Sequence, residues 1–176
     1  ATAVLMSGNP PFTRRVMESA PQLKIIAKHG SGVDSVDLAA ATEHGVAVMI
    51  AGAANADAVA ELTLALMLSL ARQLPRLDRS MRSGAWERPR FEGRGFGERT
   101  VGIVGYGEIG RRVARLAAAF GATLLIHSRS AIEAPEGAQV EPDFEALLAR
   151  VDILSLHCPL TERTRGMLGA AQLRLM

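Results

Sequence analysis

Gly105-Tyr-Gly107-Glu-Ile-Gly110 carries the spacing G-x-G-x-x-G, and that spacing suits the holding of a dinucleotide diphosphate. Gly105 permits a tight turn, Gly107 lets a pyrophosphate approach the backbone, and Gly110 lets helix and strand pack closely. A helix opening on such a turn offers unpaired N–H donors to phosphate oxygens. The pattern alone is weak in a chain with 17 glycines. Its surroundings strengthen it. Apolar Thr100–Val104 reads as a strand before the turn, Glu108–Phe120 as an amphipathic helix after it, and Thr123–His127 as the next strand.

The end of that next strand bears on which dinucleotide fits. An NAD site places Asp or Glu there to accept hydrogen bonds from the ribose 2′-hydroxyl. Here the residues are His127-Ser128-Arg129-Ser130. No carboxylate stands where it would repel a 2′-phosphate, and the Arg129 guanidinium offers a planar donor fork to bind one. The expected cofactor is therefore NADP(H) in preference to NAD(H), the alternative being an Arg129 that only faces solvent.

Other candidate groups are weaker. His29 precedes Gly30-Ser-Gly32-Val33-Asp34, a glycine-rich strand exit whose backbone N–H groups could meet a carboxylate. His44 reads as a surface or capping residue. His127 and His157 end strands of the dinucleotide unit, with structural roles expected for both. Cys158, the one cysteine, excludes an internal disulfide; it lacks an elbow motif and reads as a cofactor-wall or core residue. No His pair has a metal-binding spacing, so no metal site is expected.

These groups need elements to position them. Val4–Met6, Leu23–Ala27 and Val46–Ile50 read as strands, with helices over Thr13–Ala20 and Asp37–His44 between them, a βαβαβ rhythm that favours a parallel sheet. A long helical segment runs from Ala56 to about Ser83, with Val59, Leu62, Leu66, Leu70 and Leu74 at three- to four-residue spacing and Pro75 as an expected kink or break. Gly84–Arg99 reads as a loop. A second βαβαβ unit follows from Thr100, its third strand placed over Val151–His157 after a helix at Phe144–Arg150.

Composition bounds the rest. The 176 residues are 48% hydrophobic, 22% charged and 4% aromatic, enough to bury a core and too apolar for a disordered chain. The longest apolar run, Leu62–Ala71, contains Thr63 and Ser69 and is too short to span a membrane. The first residues lack the pattern of a signal peptide. A soluble, cytoplasmic protein is the expectation. The pI of about 9.2 invites a nucleic-acid reading, but Arg72 to Arg99 interleaves its arginines with Asp78, Glu87, Glu92 and Glu98, and stacking aromatics are few. No nucleic-acid partner is expected. Both ends break off within apolar segments, so the chain is expected to be a piece of a longer polypeptide.

Taken together, Lys28-His-Gly-Ser-Gly-Val-Asp-Ser-Val-Asp37, Ala54-Asn-Ala-Asp-Ala-Val-Ala-Glu61, Gly84-Ala-Trp86, Val101–Gly110, His157-Cys-Pro-Leu-Thr161 and Thr164-Arg-Gly166 resemble the D-isomer-specific 2-hydroxyacid dehydrogenases. That family includes phosphoglycerate dehydrogenase, glyoxylate/hydroxypyruvate reductase and formate dehydrogenase. The resemblance covers essentially the whole chain. It implies an α/β fold of Rossmann-like doubly wound parallel sheets divided between two domains. Residues 1–54 would be part of a flavodoxin-like substrate-binding domain, and residues 55–176 an incomplete NAD(P)-binding domain. Segment 55–99 would supply a connecting helix and a homodimer interface, with Trp86 near the partner's active site. Ser31, Gly32 and Val33 would hold the carboxylate of a small 2-oxo or 2-hydroxy acid. Glu108 and Ile109 would contact the pyrophosphate, Ser128, Arg129 and Ser130 the adenosine ribose, and Cys158 and Pro159 the adenine side.

Three departures from the family pattern stand out. Met49-Ile-Ala-Gly-Ala53 replaces the usual Asn and Thr-Pro-like turn, and the acidic ribose reader is absent. The family's catalytic Arg, Glu and His would fall beyond Met176, so no residue here is assigned to proton transfer, and these 176 residues alone are expected to be inactive. The implied activity of the intact protein is hydride transfer between NADP(H) and a 2-oxo acid; glyoxylate, hydroxypyruvate and 3-phosphoglycerate all stay open. A different class shares every segment present, a non-catalytic dinucleotide-sensing corepressor. A Rossmann enzyme acting on adenosyl nucleosides is a third, weaker reading.

Overall fold

A computed structural model describes residues 1–8, 10–30, 32–86 and 94–176. The chain divides into two compact units, Ala1–Asn55 and Ala56–Met176.

The first unit is a parallel three-stranded sheet in the order β1 (Ala3–Met6), β2 (Ile25–Lys28), β3 (Ala47–Ile50). Two short helices, α1 (Arg14–Glu18) and α2 (Leu38–Glu43), make the crossovers. Alternation along the strands decides the buried face. Met6, Ile26 and Val46 pack with Met17, Ala40 and Ala41 beneath the helices, whereas Leu5, Ala27 and Met49 form one row in register across the sheet, with Leu5 and Met49 exposed. Asp37 caps α2 by accepting the Ala40 N–H at 2.9 Å, which fixes where the helix starts after the glycine-rich turn.

The second unit opens on α3 (Ala56–Ala71) and α4 (Leu74–Arg82). The sequence pattern predicts one helix through to Ser83 with a break at Pro75; the break falls two residues earlier. Gln73 adopts φ 51°, ψ 36°, the only left-handed non-glycine among the described residues, and α4 restarts with Pro75 in its first turn. Proline is tolerated there because the first-turn N–H groups have no intrahelical acceptor. Phe96–Glu98 form a short 3-10 turn in the stretch expected to be a loop.

A parallel four-stranded sheet then forms from β4 (Thr100–Val104), β5 (Thr123–His127), β6 (Ala138–Val140) and β7 (Ile153–Leu156), in the spatial order β6-β5-β4-β7. The helices are α5 (Glu108–Ala119), α6 (Phe144–Leu148) and α7 (Ala170–Leu173). Side chains of β4 and β5 alternate between two cores. Val101, Ile103 and Leu124 pack against Ala60, Leu64 and Met67 of α3 and Val113, Ala114 and Ala117 of α5. Val104 and Leu125 pack against Leu147 and Leu148 of α6 on the other face. Burial on both faces explains why these strands read as continuous apolar runs. Gly102 is needed where the sheet meets α6, because a Cβ there would stand 2.8 Å from Val151 and 3.0 Å from Leu147.

Strand β6 is absent from the sequence expectation, which takes β7 as the third strand. Its three residues, Ala138-Gln-Val140, lie at the sheet edge and present no apolar run to read. Phe120 also differs from expectation: it is the C-cap of α5 and half exposed, its ring edge-on to Phe96 at 6.1 Å.

Candidate functional site

Strand order sets the position of the candidate site. The chain moves from β4 outward through β5 to β6, then returns to the other side of β4 as β7. That reversal makes a switch point between β4 and β7, and ligands of doubly wound sheets bind beyond the carboxyl ends of strands at such a point. Gly105 leaves β4 there and His157-Cys158 leave β7. Val104, the last residue of β4, stands in register with His127 on one side and Leu156 on the other, so three strand exits lie abreast.

The glycines of the turn have different surroundings. Gly105 is left-handed at φ 93°, its N–H donates to the His127 carbonyl at 2.8 Å, and a Cβ would sit 2.7 Å from backbone atoms of His157 and Cys158. A Cβ on Gly110 would run into the Gly105 carbonyl oxygen. Around Gly107 a Cβ would meet nothing within 4 Å. Two glycines are therefore demanded by packing, and the third borders open space at the mouth of α5. The first intrahelical bond of α5 runs from the Arg111 N–H to the Gly107 carbonyl at 3.0 Å, and the N–H groups of Glu108, Ile109 and Gly110 find no carbonyl among the described residues. Free N–H groups at the positive end of a twelve-residue helix, beside a Gly107 whose Cβ position is clear of residues beyond its chain neighbours, can hold a diphosphate.

Neighbouring groups are polar. Arg111 lies over the Tyr106 ring, 5.1 Å from its centroid. Arg112 makes three bonds: its Nε donates to the Asp57 carboxylate at 2.7 Å, and its Nη1 donates to the Glu108 carboxylate at 2.7 Å and the Glu108 carbonyl at 2.8 Å. Hydrogen bonding to Glu108, then to Asp57, raises the Arg112 pKa further above its ordinary value. Asp57 reads from the sequence, with Asn55, as a candidate cap for the long helix and lies instead in the first turn of α3; Arg112 is signalled only by the Glu-x-x-x-Arg spacing on one helix face.

Beyond β5, Ser128 is half-buried, and Arg129 and Ser130 are exposed. Arg129 makes no hydrogen bond or ion pair among the described residues, leaving all five guanidinium N–H groups available. His127 is occupied: its Nδ1 lies 3.0 Å from the Glu141 carbonyl and its ring leans on Phe144 at 5.6 Å.

Beyond β7, Cys158 is half-buried with its Sγ 3.9 Å from Met167 Sδ, in the α6 core, and Pro159 is exposed. The Pro159 carbonyl accepts the Thr164 hydroxyl at 2.7 Å, which in turn accepts the Thr161 N–H at 2.8 Å. This Thr-x-x-Thr knot shapes the exit loop, and its spacing was visible in the sequence without its role being evident. His157 Nε2 lies 2.8 Å from Ser155 Oγ, and burial holds the imidazole pKa below its ordinary value.

In the first unit, Ser31 lies outside the described residues. Gly30 is left-handed at φ 117°, and its carbonyl accepts the Ala51 N–H at 3.2 Å. Gly32 and Val33 are half-buried, and their N–H groups donate to no acceptor among the described residues. Lys28, the first residue of the glycine-rich motif, is buried at the end of β2. His29 is exposed, and His44 closes α2 with Nδ1 2.9 Å from the Ala40 carbonyl. No group of three or more His, Cys, Asp or Glu able to hold a metal occurs among the described residues.

Comparison with known proteins places this arrangement in a family. Residues 64–176 match the model described as D-isomer specific 2-hydroxyacid dehydrogenase, NAD binding domain. The chain belongs to the D-isomer-specific 2-hydroxyacid dehydrogenase family. It is 37% identical over its whole length to D-3-phosphoglycerate dehydrogenase of Methanocaldococcus jannaschii, covering 34% of that protein. Over 93% of its length it is 40% identical to glyoxylate reductase of Thermococcus litoralis, covering 52% of it. The crystal structure of NAD-dependent formate dehydrogenase from Staphylococcus aureus in complex with NAD superposes with a TM-score of 0.90 at 30% identity, over 99% of this chain and 54% of that one. The chain thus spans about a third to a half of the relatives it matches.

Proposed function

We propose that the chain is part of a D-2-hydroxyacid dehydrogenase that prefers NADP(H), with residues 55–176 holding the dinucleotide and residues 1–54 contributing to the site of a small 2-oxo or 2-hydroxy acid. The observation that carries this reading is the glycine turn. Gly105 and Gly110 have no room for a side chain, while Gly107 has space for one and the N–H groups of Glu108 and Ile109 that follow it find no carbonyl among the described residues. When bound, the nicotinamide exchanges hydride with C2 of the acid.

The chain's own residues have four tasks in this reading. Glu108 and Ile109 N–H groups bind the diphosphate. Ser128, Arg129 and Ser130 surround the adenosine ribose, with Arg129 on the 2′-phosphate and NAD(H) the alternative cofactor if it stays in solvent. Cys158 and Pro159 wall the adenine side. The N–H groups of Gly32 and Val33, with Ser31, receive the substrate carboxylate, a role that free backbone donors suit. Proton transfer and carbonyl orientation are assigned to no residue of this chain. Homodimerisation is assigned to segment 55–99, where Leu62, Leu66 and Leu70 of α3 are 61%, 57% and 73% exposed in a row, and Trp86 is 69% exposed.

Fluorescence titration with NADPH and NADH tests the cofactor part. Charge-assisted hydrogen bonds contribute about 1.5–3 kcal/mol, so NADPH is expected to bind at least about tenfold more tightly. Equal or tighter binding of NADH removes the Arg129 assignment, and failure to bind either cofactor removes the reading.

A further inference from the structure

An acidic residue at the first position of α5 suits the helix dipole but carries the same sign of charge as a diphosphate. Glu108 follows Gly107 directly, so its carboxylate begins one residue from the space where the phosphates would lie. Its side chain is well exposed and free to swing toward that space unless something holds it. Arg112 holds it. The guanidinium stands one turn below, bonded to both the carboxylate and the carbonyl of Glu108. Its Nε is bonded to Asp57 in the first turn of α3, so the arginine is itself anchored on a second helix.

We propose that Arg112, anchored by Asp57, is a positioning residue for the dinucleotide: it turns the Glu108 carboxylate down the helix and neutralises it, leaving the N–H groups of Glu108 and Ile109 to the phosphates. This rests on the dinucleotide reading given above. The sign follows from charge. Asp57, Glu108 and Arg112 sum to one negative charge; without the arginine the sum is two, and one carboxylate is free to approach an anion. Exposed like charges repel weakly at physiological salt and more strongly at low salt. Asp57 enters this arrangement through its bond to the arginine.

Equilibrium titration of the full chain with NADPH, followed by nicotinamide fluorescence at low and high salt, separates this role from simple support of the fold. Arg112→Met is expected to raise the dissociation constant about tenfold at low salt, with the loss shrinking as salt screens the freed carboxylate. Glu108→Gln alone is expected to tighten binding by about twofold to threefold. The double variant Glu108→Gln/Arg112→Met is expected to recover most of the tenfold loss, because the carboxylate next to Gly107 is gone and only Asp57 loses its partner. If the double variant binds as weakly as Arg112→Met, or if Arg112→Met binds like the wild type, the proposal is overturned. Thermal melts of all variants identify any that fail to fold, and in that case Arg112→Lys and Arg112→Gln provide the same comparison of charge kept with charge lost. A folded wild-type chain that binds no dinucleotide overturns the dinucleotide reading itself, a result distinct from any pattern among the variants.

Discussion

Placing alanine at Gly107 and at Gly110 separates what the glycine turn does for the ligand from what it does for the fold. At Gly110 two effects oppose. Alanine gains about 1 kcal/mol of helix propensity over glycine inside α5. Its Cβ, however, runs into the Gly105 carbonyl oxygen, and the backbone on both sides must move. Overpacking of this kind costs about 1–3 kcal/mol. The obstruction is backbone, which cannot swing aside as a long side chain could, so the cost is expected toward the upper end and the net change is destabilising by about 1–2 kcal/mol. For a unit of this size that lowers Tm by a few degrees. At Gly107 the φ of −87° suits alanine and a Cβ meets no residue beyond its chain neighbours within 4 Å. The cost to stability is limited to an N-cap change of about 1 kcal/mol or less. The same Cβ occupies the space assigned to the diphosphate, so Gly107→Ala is expected to weaken NADPH binding about tenfold or more. Thermal melts and fluorescence titrations of both variants form the assay. Wild-type affinity in Gly107→Ala refutes the placement of the phosphates, and an unchanged or raised Tm in Gly110→Ala refutes the packing argument.

Three further outcomes follow from the geometry. Arg129→Ala is expected to weaken NADPH about tenfold or more and change NADH by less than about twofold, since a charge-assisted contact to phosphate contributes about 1.5–3 kcal/mol; equal losses for both cofactors in parallel titrations count against a 2′-phosphate role. Leu66→Asp is expected to convert a homodimer into a folded monomer in sedimentation velocity, because Leu66 is exposed in the middle of the α3 leucine row; a dimer that persists moves the interface elsewhere. The folded-state pKa of His157 lies below its unfolded value, so the unfolded chain takes up the proton first as pH falls. Stability from this group is therefore present above the ordinary imidazole pKa and lost as pH drops through the window below it, and His157→Gln should flatten that part of a urea-unfolding profile measured against pH.

Much of the fold was legible because period and punctuation agree. Thr100–Val104 and Thr123–His127 are apolar on both sides since both faces of the sheet are covered, and both strands have the bounds that their sequence predicts. What escaped was held by tertiary context. Strand β6 has no apolar run because it pairs at an edge. The break between α3 and α4 sits at Gln73, a residue with no turn preference of its own, while Pro75, the obvious punctuation, settles into the first turn of the following helix. The site divides in the same way. The glycine spacing announces itself, since each glycine answers a local steric demand. The Asp57–Arg112–Glu108 tie joins residues 55 positions apart, and only the packing of α3 on α5 brings them together. The burial of Lys28 at the end of an apolar strand is not legible in the sequence, because lysine is rarely buried.

The most direct test of the central claim is a crystal structure of the chain grown with NADPH. The expected density places the diphosphate against the N–H groups of Glu108 and Ile109 beside Gly107, with the 2′-phosphate within hydrogen-bond reach of the Arg129 guanidinium. A dinucleotide bound away from the Gly105–Gly110 turn contradicts the account.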